Sequence, residues 1–156
     1  QPRSRGLGDV YKRQVEAHGQ PLYEMINNKK IDNRNVFFIH GGVDTEDREK
    51  VRAITEKESN AIIVASYGTF STGINIKNLH NIIFASPSKS RIRNLQSIGR
   101  VLRKGDKKVK ATLYDIADDI RYKSRKNYTL NDLIERIKIY NEENFNYDII
   151  NIPIKD

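Results

Sequence analysis

Apolar residues along this chain fall into two alternating patterns: short continuous runs, and longer stretches that carry a single apolar stripe. Four runs have the length of a strand, "NVFFIH" (35–40), "AIIVAS" (61–66), "NIIFASP" (81–87) and "VKATLYDIAD" (109–118). A continuous apolar run predicts a strand buried on both faces, and the first two runs have that form. The stretches between them repeat with helical spacing. From Ala17 to Asn28, Leu22, Met25 and Ile26 recur on one face before the polar break "NNKKIDNRN". After Gly41 and Gly42, Asp44 or Thr45 is placed to cap a charged helix with acids in its first turn, and Val51 and Ile54 are predicted to face inward. A further helix is predicted around "QSIGRVLRKG" (96–105). Another runs from Leu130 to Phe145, where Leu133, Ile134, Ile137 and Tyr140 mark one face, followed by the short apolar tail "YDIINIPI". Strands alternating with helices of about 10 to 15 residues predict an α/β fold, a parallel sheet with helices on both faces.

The helix at 96–105 has two distinct sides. At about 100° per residue, Leu95, Ile98, Val101 and Leu102 share one sector, while Gln96, Arg100 and Arg103 share the opposite one. Gly99 lies beside the second group. Glycine inside a helix costs roughly 0.5–1 kcal/mol relative to alanine, so its use here points to the close approach of another group. Planar guanidinium groups with fixed donors suit a polyphosphate.

Charge sharpens that picture. The 156 residues carry a formal charge of +8, but residues 89–126 alone contain 13 Lys or Arg against 4 Asp, leaving that segment at +9 and the remainder at −1. A local excess of this kind makes a polyanion the default partner, set against the plainer reading of a solvated surface. The chain has no Cys, and His18, His40 and His80 stand apart with no metal-ligand spacing, so disulfide and zinc chemistry are not expected. No apolar run approaches the roughly 20 residues of a membrane-spanning helix, and no membrane role is expected. Absent Cys fits a reducing cytoplasm. No internal repeat is visible. Residues 1–14, "QPRSRGLGDVYKRQ", have neither a helical nor a strand period and resemble adapter-derived translation; they are expected to be non-native.

In open parallel sheets, ligands collect beyond the carboxyl ends of the strands. Three loops occupy such places: "HGG" (40–42), "YGTFSTGIN" (67–75) and "SPSKS" (86–90). Gly68 and Gly73 have the separation of a phosphate-binding P-loop, yet Ile74 and Asn75 stand where that loop needs Lys and Ser or Thr. The stretch is therefore not a primary ATP cradle. On its own it also reads as a plain glycine-rich connection.

Gln96, Gly99, Arg100 and Arg103, spaced as Q-x-x-G-R-x-x-R, resemble motif VI of superfamily 2 helicases. In the expected order before them, "SYGTFSTGINIKNLHNIIFA" (66–85) resembles motif V, and "FFIHGGVDTEDREKV" (37–51) resembles the strand, turn and helix of the motif IV region. Within the superfamily the resemblance is nearest to phage recombination and repair helicases and covers roughly residues 15–150. It implies a RecA-like parallel sheet flanked by helices on both faces, with a C-terminal helical extension. The domain would span 15–120 and the extension and tail 121–156.

Further implications of the resemblance concern mechanism. The chain would be the second motor domain of an ATP-dependent DNA helicase or translocase acting in unwinding or branch migration, with branched or double-stranded DNA as partner. ATP and Mg²⁺ would be held mainly by an N-terminal RecA-like domain of the same protein, in the cytoplasm of a bacterial or phage-infected cell. Arg100 and Arg103 would reach the γ-phosphate as arginine fingers, and Gln96, Gly99, Gly73 and Asn75 would sense the nucleotide. His40, Gly41, Ser66, Thr69, Ser71, Thr72 and Lys89 would contact the nucleic-acid backbone. Asn75 stands where many relatives carry Asp. No "GxxxxGK[ST]" and no Asp-Glu magnesium motif is present, so this chain alone is expected not to hydrolyse ATP, and a stand-alone nucleic-acid-binding module is the alternative.

Overall fold

The structure is a computed structural model and describes residues 15–58, 60–66, 68–69, 80–85, 112–120 and 123–154. It divides into two compact units, Gln1–Asn78 and Leu79–Asp156, each with its own pair of strands and its own core.

The first unit opens with a single π-helical turn, Val15–Gly19, that runs into helix α1, Gln20–Asn28. Pro21 sits in the first turn, where its missing N–H costs nothing. The helix ends at Lys29, and Lys30 takes a left-handed φ of 44° that turns the chain into a short 3-10 turn, Ile31–Asn33. Strand β1, Val36–Ile39, and strand β2, Ile62–Ala65, pair in parallel with Val36 opposite Ile62 and Ile39 opposite Ala65. Parallel pairing needs a crossover, and helix α2, Thr45–Lys57, lies on it. Tyr23 of α1 stacks on Phe38 of β1 with ring centroids 5.7 Å apart. Gly19 permits this approach, because a Cβ there would lie 2.9 Å from the Phe38 ring.

Two expectations change here. Burial on both faces was expected for β1 and β2, but burial is complete only at Ile39 and Val64, with the other strand positions half-buried. Among the described residues this sheet has two strands, so each has one unpaired edge. On α2, Val51 is half-buried as expected, while Ile54 is 40% exposed and Thr55 is buried instead. The inward stripe runs through Arg48, Val51, Arg52 and Thr55 at i+3 and i+4 spacing, which leaves Ile54 at its border. Thr55 satisfies its hydroxyl within the helix, donating to the Val51 and Arg52 carbonyls at 2.8 and 2.9 Å. Asp44 is the residue that begins α2, with extended backbone and no side-chain cap; Glu46 and Asp47 supply the negative charge in the first turn. The charged side chains of the helix are laced in pairs, Lys50 with Glu46 and Asp47 and Arg52 with Glu49 and Glu56. These contacts raise the Lys50 and Arg52 pKa values and lower that of Glu49, each chiefly through the side-chain hydrogen bond; at a solvated surface they add little stability.

The second unit pairs β3, Asn81–Phe84, in parallel with β4, Thr112–Asp115, placing Phe84 opposite Asp115. Its core is Phe84 with Ile139 and Tyr140 of helix α3, Tyr128–Glu142. Asn127 precedes α3 but does not cap it in the usual way. Its side chain closes the preceding loop instead: Oδ1 accepts from the Ile120 N–H at 3.2 Å and Nδ2 donates to the Asp118 carbonyl at 2.9 Å. The Thr129 hydroxyl donates to the same carbonyl at 3.0 Å. Beyond α3 the tail through Ile154 has no regular structure, and Ile149, Ile150, Ile152 and Ile154 are exposed. The α/β class read from the sequence is therefore what folds, with parallel strand pairs, a helix on the β1–β2 crossover and a C-terminal helix.

Candidate nucleic-acid interface

Because β1 and β2 are parallel and in register, the residues that follow them emerge side by side. The Ser66 N–H donates to the Ile39 carbonyl at 3.0 Å, which sets Ser66 next to His40 at the carboxyl end of the pair. This is the position where parallel α/β sheets gather ligands.

His40 leads a tight turn in which the Val43 N–H donates to its carbonyl at 3.0 Å. Its ring packs on Phe38, centroids 5.0 Å apart, continuing the aromatic column from Tyr23. Nδ1 accepts a hydrogen bond from the Gly42 N–H at 3.1 Å. With Nδ1 occupied as an acceptor, the neutral imidazole carries its proton on Nε2, which becomes the donor available to a ligand. Gly42 leaves room for this arrangement, since a Cβ there would stand 3.0 Å from His40 Cε1 and 3.2 Å from Nδ1, and the ring would have to give way.

The turn is also held from below. Arg48, in the first turns of α2, donates through Nε to the Val43 carbonyl at 2.8 Å and through Nη2 to the Gly41 carbonyl at 3.1 Å. Two loop carbonyls are thereby satisfied by one guanidinium, and positive charge is placed beneath the turn. Arg48 carries no motif or spacing signal that would single it out in a charged helix.

On the neighbouring loop, Ser66 Oγ and Thr69 Oγ1 are 2.8 Å apart in a mutual hydroxyl hydrogen bond. Thr69 is only 4% exposed, so its hydroxyl faces the protein, while Ser66 is half-buried. The sequence-based candidates His40, Gly41, Ser66 and Thr69 are thus brought to one edge of one strand pair. Ser71, Thr72, Gly73, Asn75, Lys89, Gln96, Gly99, Arg100 and Arg103 lie outside the described residues. Among the described residues no group of three or more His, Asp or Glu is placed to hold a metal ion, and no helix is long and apolar enough to cross a membrane.

A polar cluster in the second unit has no counterpart in the sequence reading. Asp115, at the carboxyl end of β4, receives Arg136 Nε at 2.7 Å and Nη2 at 2.8 Å, and the Tyr140 hydroxyl donates to Oδ2 at 2.6 Å. Arg136 is 1% exposed, and its Nη1 has no hydrogen-bond partner among the described residues. Burial pushes the Tyr140 phenol well above its ordinary value, and its bond to the Asp115 carboxylate adds to the rise. The cluster ties α3 to β4.

Comparison with known proteins decides the family. The helicase conserved C-terminal domain family matches residues 10–105. This chain belongs to it. Within the wider group of helicases, the chain is 41% identical over 141 residues to the ATP-dependent DNA helicase uvsW of Enterobacteria phage T4, covering 84% of the chain and 28% of that protein. It is 33% identical over 113 residues to the putative ATP-dependent RNA helicase L396 of Acanthamoeba polyphaga mimivirus, covering 69% of the chain and 20% of that protein. A third similarity is to the ATP-dependent RNA helicase DDX42 of Gallus gallus, 30% over 90 residues, covering 58% of the chain and 9% of that protein. The chain spans less than a third of the length of each of these helicases. No solved structure matches it. As a helicase C-terminal domain, it places His40, Gly41 and Ser66 on the loops that follow two of its parallel strands.

Proposed function

We propose that this chain is the second motor domain of an ATP-dependent DNA helicase or translocase, and that it grips the nucleic-acid backbone at the carboxyl edge of β1 and β2. The observation that carries this reading is the pairing of His40 and Ser66 on adjacent loops, with the imidazole tautomer set by the Gly42 N–H. An N–H donor beside a hydroxyl and main-chain groups recognises phosphate oxygens without reading bases. Thr69 acts through Ser66, which it orients from its buried position. Gly41 contributes by the main chain, with its carbonyl held by Arg48. Ser71, Thr72 and Lys89 are further backbone contacts in this reading, on the strength of the motif V resemblance and their residue types.

Arg100 and Arg103 supply the arginine fingers, and Gln96, Gly99, Gly73 and Asn75 register nucleotide state. ATP and Mg²⁺ belong mainly to an N-terminal RecA-like domain of the intact protein, since this sequence carries no P-loop lysine. The guanidinium groups stabilise charge on the transferring phosphoryl group when the two domains close. DNA is favoured over RNA by the 41% identity to a helicase named for DNA, and the activity proposed is unwinding or branch migration in recombination and repair. Residues 15–120 form the motor domain and 121–156 its helical extension.

Steady-state ATPase measurements on the intact protein test this. Arg100→Ala and Arg103→Ala are each expected to lower DNA-stimulated turnover by roughly 10³-fold or more while DNA affinity is retained. Unchanged turnover with weakened DNA binding would instead identify a binding module without a motor role.

A further inference from the structure

The segment between β4 and α3 carries four basic residues in six, Arg121, Lys123, Arg125 and Lys126. Neither the His40–Ser66 site nor the Asp115–Arg136–Tyr140 cluster uses these four side chains. Such a run is most often a solvated surface, but two features set this one apart. Its ends are fastened: the Asn127 side chain bonds to the Ile120 N–H and the Asp118 carbonyl at 3.2 and 2.9 Å, and Thr129 holds the same carbonyl at 3.0 Å. These bonds hold Asn127 and Thr129 against Asp118 and Ile120, so the residues flanking Arg125, Lys126 and Tyr128 need not be ordered on binding. The second feature is Tyr128, the first residue of α3, which is 89% exposed. A large aromatic ring left in water directly after a basic loop has no role in the core of this unit.

Lys123, Arg125 and Lys126 are exposed, and among the described residues neither Arg125 nor Lys126 is in an ion pair. Cations together with an open aromatic face are what unpaired nucleotides require. Phosphates are met by the charges, and every base presents a π-face to the ring. A protein partner fits less well, because Lys is depleted from the cores of protein interfaces.

We propose that residues 123–126 with Tyr128 are a second contact for single-stranded nucleic acid, in which Arg125 and Lys126 meet backbone phosphates and the Tyr128 ring stacks on an unpaired base. It rests on the motor-domain reading and adds to it a site for the separated strand. In a helicase, a contact selective for unpaired nucleotides holds one product of strand separation and opposes reannealing.

Fluorescence anisotropy of the 156-residue chain with labelled dT20 and with a blunt duplex, across a KCl series, tests the proposal, with circular dichroism to confirm folding. Arg125→Gln with Lys126→Gln is expected to weaken dT20 binding and to reduce the slope of log K against log salt by about 1 to 1.5. Tyr128→Ala is expected to weaken dT20 binding roughly 5-fold or more without changing that slope, with duplex affinity unchanged, while Tyr128→Phe retains affinity. If both loop variants bind dT20 with wild-type affinity and slope while His40→Asn weakens binding, the loop site is wrong and the motor-domain reading stands. If the wild-type chain binds neither DNA at low salt, both fall. Competition by polyglutamate as effective as dT20 per charge, with Tyr128→Ala unaffected, would identify a general acidic-ligand surface and overturn the proposal.

Discussion

At the scale of single residues, the site depends on small groups that fix larger ones. Gly42 matters because of what a methyl group would do there, pressing on the His40 ring at 3.0 Å. Gly42→Ala is expected to swing the imidazole off its Nδ1 hydrogen bond and weaken DNA binding several-fold with unchanged far-UV circular dichroism. His40 itself separates the two functions of its ring. Asn in its place keeps an acceptor near the Gly42 N–H but lacks the outer donor, whereas Gln reaches about as far as Nε2. Titration of labelled DNA is therefore expected to show His40→Asn roughly 5-fold weaker, the worth of about one hydrogen bond, with His40→Gln nearer the parent. Equal affinities for the two variants would remove Nε2 from the contact. Tyr140 gives a pH signature of its own. Its phenol is raised in the folded state, so its contribution is fully present below the unfolded value of about 10 and is lost as pH rises beyond it, because the unfolded chain ionises first. Urea midpoints measured through that alkaline range are expected to fall for the parent and to fall less steeply for Tyr140→Phe.

At the scale of elements, the sequence exposed some of the architecture and hid the rest. The apolar runs at 36–39 and 62–65 announce strands because nothing polar interrupts them, and two glycines after His40 announce a turn at a strand end. His40 and Ser66 were legible as a pair once a parallel sheet was inferred, since both directly follow such runs. Arg48 was not legible, because an arginine in a helix rich in Lys, Arg, Asp and Glu looks the same whether it faces water or clamps two carbonyls. Nor was the Asp115–Arg136–Tyr140 cluster, whose partners are 21 and 25 residues apart and meet only when α3 lies on β4. The stripe on α2 was read one position out, since a threonine that bonds its own helix can be buried as readily as an isoleucine. The docking of α3 yields a stability prediction. Removing one member of a buried ion pair costs about 3–5 kcal/mol, whereas replacing both with apolar residues of similar volume is often near neutral. Arg136→Met alone is expected to shift the urea midpoint strongly, and Asp115→Leu with Arg136→Met to recover most of the loss; a double variant as unstable as the single would show that the pair is not the source.

At the scale of the whole chain, charge is the property that no single element explains. The excess is concentrated in 89–126, while the rest of the sequence is close to neutral. DNA affinity is accordingly expected to fall roughly 10- to 100-fold between about 50 and 200 mM salt, the behaviour of a contact that neutralises a few phosphates. An affinity indifferent to salt would contradict it. The buried guanidinium of Arg136 has a different kind of consequence. Since losing either Arg136 or Asp115 strands the other's charge away from water, random drift cannot pass easily through an intermediate that keeps only one of them. Lineages descended from a common ancestor of this chain should therefore carry both residues or neither, the two changing together as though they were a single inherited character.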